Sequence, residues 1–232
     1  MKAKELDPKR AQIFNYATRT VVSTIGALLG ISSIDHGALE MMQGNRPTPG
    51  FLIKAQGPGH SWSVWTQGSE PAFTLVHNFL LTGALATLAG FLLVAWSLRF
   101  IHRKRGATAF LLLSVTSYLL GGGLAQVLLF TLNWAAATRI RAGLGFWKWL
   151  LPVPFRRILG GFWPWTLAVG AIAFLLALEI ATFGYCPGVP RDQQVLYHFL
   201  IQLGAVIVIA ILLSFVGGFS SDIEGRARLE KG

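Results

Sequence analysis

Charge and cysteine are both scarce in this chain, and each scarcity narrows what it can be. Only 13% of the residues are charged, against about a quarter in an ordinary soluble domain. That leaves too little polar surface to coat a water-soluble globule of 232 residues. The single cysteine, Cys186, excludes an internal disulfide and leaves the redox compartment open. No Asn-x-Ser/Thr acceptor occurs. The signatures of soluble catalysis are missing as well: there is no phosphate loop and no dinucleotide fingerprint. Gly121-Gly122-Gly123 lacks the lysine and hydroxyl residue of a phosphate loop. His36-Gly37-Ala38-Leu39-Glu40 is not the His-Glu-x-x-His of zinc proteases.

What fills the space is apolar sequence, 53% of the chain with a mean hydropathy of +0.54, arranged in long blocks rather than in alternation. That is the pattern of membrane-spanning helices. The expected fold is all-α, a polytopic transmembrane helical bundle of five to six membrane segments. The net charge of +10 does not point to nucleic acid, because the basic residues sit at the ends of apolar blocks. There they suit topology determination and anionic lipids at the cytoplasmic face. The first block carries Asp35, His36 and Glu40 and lacks a small-residue cleavage site, so it reads as a retained span.

Residues 1–19 form a basic cytoplasmic N-terminus. A first transmembrane hairpin covers 20–98, with spans at about 20–43 and 72–98 and an extracytoplasmic loop at 44–71 that holds Trp62 and Trp65. The block 106–138 is too long for one span and is interrupted by the three glycines, which leaves one kinked helix or two short segments. An interfacial stretch at 139–162 interleaves arginine and lysine with aromatic residues. A second hairpin covers 163–219 and a cytoplasmic tail 220–232. If the third block turns back on itself, 17 of the 20 basic residues share one side, and only Arg46, Lys54 and Arg191 lie on the other. A single crossing would split them evenly. The positive-inside rule favours six segments with both termini cytoplasmic, as in a multi-pass protein of a prokaryotic plasma membrane.

The two hairpins share a pattern. Gly26-Ala27 and Asp35 have the spacing of Gly170-Ala171 and Glu179, and His77 precedes Gly83-Ala84 as His198 precedes Gly204-Ala205. Parallel or inverted duplication is common in transporters, but glycine and alanine are also common in any membrane helix. Ionisable groups inside a bilayer cost several kcal/mol and usually face a partner. The candidates for a substrate, ion or proton-relay site are therefore Asp35, His36, Glu40, His77, Glu179 and His198, with Gln202 one turn beyond His198. They would gather in one leaflet. His36 and Glu40, spaced i and i+4, share a helix face.

Three readings remain open. A small solute or ion could pass between the hairpins with protons carried by the acid–histidine pairs. His77 and His198 could be haem ligands, or His36, Glu40, His77 and His198 could hold a transition metal for redox or hydrolytic chemistry. Alternatively, the polar groups are helix–helix glue in a non-catalytic subunit that packs against a membrane partner or a second copy.

Overall fold

A computed structural model describes residues 14–56, 70–190 and 192–229. In chain order its elements are α1 (Tyr16–Met42), β1 (Leu52–Lys54), β2 (Pro71–Thr74), α2 (Phe79–Arg99), α3 (Gly106–Leu119), β3 (Leu120–Gly123), α4 (Gln126–Ala137), α5 (Gly145–Leu150), α6 (Val153–Phe183) and α7 (Gln193–Leu229). Four of these helices, α1, α2, α6 and α7, are long and apolar enough to cross a membrane. Large apolar side chains such as Phe91, Leu112, Ile172 and Ile209 are exposed on the outside of the bundle. A lipid solvent accounts for that exposure. The chain is a multi-pass membrane protein.

Polar ties draw five chain segments to one end of the bundle. The Asn15 N–H donates to the Ile140 carbonyl at 2.9 Å, and its side-chain amide donates to the Ala142 carbonyl at 3.0 Å. Arg141 donates from Nε to the His102 carbonyl at 2.5 Å. The Asp222 carboxylate accepts the N–H groups of Ala17 and Thr18 at 3.0 and 2.9 Å, capping α1, whose own N-cap residue Asn15 makes no side-chain cap bond. Arg156 and Glu224 pair at 2.9 Å. The start of α1, the α2–α3 link, the end of α4, the start of α6 and the end of α7 therefore lie together. Most of the described arginines and lysines are in these segments.

Between α3 and α4 the helix breaks at the glycines. Leu120–Gly123 is extended and pairs antiparallel with β2, which in turn pairs with β1. α3 leaves the basic end and α4 returns to it, with the rings of Phe110 and Phe130 6.1 Å apart between them. At 14 and 12 residues, each is shorter than the roughly 20 a full crossing requires.

Small residues set the helix pairing. A Cβ on Gly90 would sit 2.7 Å from the Gly30 carbonyl oxygen, and one on Gly83 would sit 2.6 Å from the Met41 nitrogen. The backbones of α1 and α2 are thus nearly in contact, as expected where association depends on close packing in lipid. α6 and α7 meet at Gly217, where a Cβ would lie 2.6 Å from that of Trp163. The pseudo-repeat does not extend to these contacts: Gly83 is a tight contact, whereas the matching Gly204 has, among the described residues, nothing within 4 Å of where its Cβ would be.

Several boundaries differ from the sequence expectation. The second span begins at Phe79 rather than about residue 72, because 71–74 is claimed by the sheet and Asn78 caps the helix by accepting the Leu81 N–H at 3.1 Å. α6 already starts at Val153, in the stretch expected to be an interfacial loop, since proline is well tolerated in a first helical turn. α7 continues to Leu229, so most of the expected tail is helical. Trp62 and Trp65 lie outside the described residues.

Candidate functional site

The last turns of α1 carry three of the expected residues, and they point to different neighbours. His36 is buried, and its Nε2 lies 3.0 Å from Glu70 Oε1. Glu70 sits just before β2 and also accepts the Ala125 N–H at 2.9 Å, at the start of α4. An acid at a helix N-terminus complements the helix dipole. Burial acts to raise the Glu70 pKa, but the hydrogen bond and charge of His36, with Ala125 and Gln126, outweigh it and hold the carboxyl below its ordinary value. Gln126 donates to Ser32 Oγ at 2.9 Å, and Ser117 donates to Ser33 Oγ at 3.0 Å. The polar residues of α1 are thus joined to both arms of the broken third block.

The triple glycine makes this approach possible. Gly121 has φ +110°, a conformation that a side chain disfavours. A Cβ there would lie 2.7 Å from Glu40 Oε1 and closer still to Oε2. A Cβ on Gly123 would overlap the Glu70 carboxylate and come within 2.9 Å of His36 Nε2. Extended backbone therefore lies directly on the ionisable groups. Glu40 is fully buried and, among the described residues, neither of its oxygens has a hydrogen-bond partner. His36 Nδ1 is likewise buried without one.

Asp35 faces another way, into a cavity of about 360 Å³ bounded by α1, α4, α6, α7 and the loop between α1 and α2. Thr182 donates to its carboxylate at 3.1 Å. Gln56 donates to the Ala181 and Thr182 carbonyls, both at 2.9 Å, and ties the loop to the end of α6. His36, Glu70 and Gln126 line the same polar end, and the remaining wall is apolar, with Leu129, Phe174, Leu178 and Ile207. Volumes of this order are typical of small-molecule sites.

The other expected residues do not join this cavity. His77 is in the turn before α2, exposed, with its ring 4.9 Å from that of Phe51. Glu179 shares the outward face of α6 with exposed Ile172, Leu175 and Phe183. That face is turned from the cavity, which Phe174, Ala177, Leu178 and Ala181 line at helical spacing. His198 and Gln202 are exposed on α7, and His198 Nδ1 lies 2.7 Å from the Gln194 carbonyl. The single gathering of six groups is thus reduced to Asp35 and His36 at the cavity, with Glu40 close by under Gly121. Among the described residues no three His, Cys, Asp or Glu side chains group to hold a metal, so His36, Glu40, His77 and His198 are not assembled as ligands.

Glu70 and Gln126 escaped the sequence reading. One signal was available: Glu70 is the only acid between Glu40 and Glu179. An isolated acid in so long a stretch needs a local reason. No protein-family model matches the chain, and comparisons with curated proteins and with solved structures found no match.

Proposed function

We propose that this protein is a carrier that binds a small solute in the cavity between α1, α4, α6 and α7 and moves it in exchange for a proton handled by His36 and Glu70. One observation carries the reading: an imidazole and a carboxylate 3.0 Å apart, both largely buried, open on a cavity of about 360 Å³. Histidine exchanges protons near neutral pH, and Glu70 is the partner that accepts its N–H. The basic end is cytoplasmic by the positive-inside rule, which gives six membrane segments, counting α3 and α4, and places both termini in the cytoplasm. The cavity then belongs to the extracytoplasmic leaflet. Exposed Phe146 and Trp149, beside Arg139, Arg141 and Lys148, rest among anionic headgroups.

The test is coupled flux. Proteoliposomes with a trapped pH dye and an imposed proton gradient are supplied with a panel of small solutes. At least one solute is expected to accelerate proton movement with the wild-type protein, and not with His36→Gln or Glu70→Gln. A solute carried at the same rate and proton stoichiometry by wild type and both variants would overturn the proposal.

A further inference from the structure

The charge inventory of the cavity narrows the solute. Its described lining includes Asp35, Glu70 and His36 but no lysine or arginine. With both carboxyls ionised, His36 can offset one negative charge at most, and its position 3.0 Å from Glu70 assigns it there. Among the described residues, Asp35 keeps only the neutral Thr182 hydroxyl, at 3.1 Å, as a hydrogen-bond partner. An ionised carboxylate in an apolar wall is costly without a counter-charge. Beyond this polar end the surface is apolar, and it extends to Gly204, where a Cβ would meet nothing within 4 Å among the described residues. α6 and α7 are tightly packed nearer the basic end, at Gly170 and Gly217, but leave this space open at Gly204.

We infer that the solute is a lipophilic organic cation, with its positive head against Asp35 and its apolar body along the α6–α7 wall toward Gly204. The inference rests on the cavity being the carrier's solute site. An anion would face two carboxylates, and a neutral solute would add no counter-charge beside an ionised Asp35. A cation supplies what the described lining lacks, and the exchange with a proton follows. A proton held by the His36–Glu70 pair makes this polar end less negative beside Asp35, so proton and cation disfavour each other. Among the described residues, the ionisable groups that line the cavity with Asp35 are His36 on its own helix and Glu70 from the segment before β2. The described lining residues of α4, α6 and α7 add no charge.

The probes are decyltrimethylammonium, decanol and decanoate, measured by equilibrium binding to the full chain in nanodiscs. The quaternary ammonium keeps its charge at every pH, so any pH dependence belongs to the protein. Saturable binding of the cation is expected, at least about tenfold tighter than that of either analogue. It should weaken as pH is lowered. Asp35→Asn should erase the cation's advantage without changing decanol, and Gly204→Leu should weaken all binding by filling the tail space. The wild-type preference for cation over alcohol decides the class even where a variant fails to fold. Equal binding of cation and alcohol, both lost in Gly204→Leu, would overturn the cation assignment and leave the cavity as the solute site. No effect of Asp35→Asn or of Gly204→Leu would overturn both.

Discussion

Replacing Gly121 by alanine tests whether the triple glycine exists for the ionisable groups beneath it. Two costs are expected. The backbone at φ +110° is a conformation that alanine adopts only under strain of about 1–3 kcal/mol. The new Cβ would also stand 2.7 Å from Glu40 Oε1 and 2.9 Å from its Cδ. A flexible glutamate could normally swing away, but this one is fully buried, so moving it overpacks its surroundings at a further cost of about 1–3 kcal/mol. The sum is a loss of about 2–6 kcal/mol. Unfolding in mixed micelles by denaturant titration gives the number, with Gly161→Ala as the control. No atom of the described residues stands within 4 Å of a Cβ at Gly161, and inside a helix that change is neutral or stabilising by up to about 1 kcal/mol. A double-mutant cycle with Glu40→Ala separates the two terms, because truncation removes the clash and leaves the backbone strain. The coupling should be about 1–3 kcal/mol. Additive effects, or a Gly121→Ala protein as stable as the Gly161→Ala control, would refute the assignment.

Other consequences can be checked independently. Asp222→Ala removes three hydrogen bonds that cap α1 from across the bundle, and should cost about 2–3 kcal/mol in the same titration, with Asp222→Asn milder. Glu70→Gln should destabilise the protein at neutral pH, and the gap from wild type should close on acidification. The folded-state pKa of Glu70 lies below its ordinary 4.5, so its stabilisation is complete above 4.5 and is lost as pH falls through the lower folded value. Topology is accessible to thiol labelling, though not through Cys186, which is buried. In a Cys186→Ser background, Lys54→Cys should react with an impermeant maleimide on intact cells, and Arg105→Cys only after permeabilisation. The reverse pattern would invert the orientation.

The bundle itself was legible because lipid imposes it. Long apolar blocks have few alternatives to helices, and the lysine and arginine count alone favours a third block that turns back at its glycines. Asp35, His36 and Glu40 were legible for a related reason, since an ionisable residue among apolar ones is conspicuous. The sheet was not. Pro71–Thr74 reads as the apolar start of a span, and only its pairing with Leu52–Lys54 and Leu120–Gly123 makes it a strand. That pairing removes His77 from the helix and from the site. Hydropathy cannot report it, because the partners lie some 20 and 50 residues away.

Glu179 marks a different limit. Its spacing from Gly170 repeats that of Asp35 from Gly26, yet Asp35 turns inward and Glu179 outward. The interval fixes helical phase relative to the glycine but not which side of the glycine the rest of the protein occupies. Gly26 packs against Ser97 and Asn133, whereas Gly170 packs against Ala210. The two helices thus present equivalent faces to unlike neighbours. The same reasoning bears on Glu70. Its value to the site comes from lying beside His36 and the start of α4 at once, and that juxtaposition is created by the fold of the glycine segment. Three glycines announce a break in a helix. That the broken backbone lies on Glu40, Glu70 and His36 emerges only when the residues on both sides of it are in place.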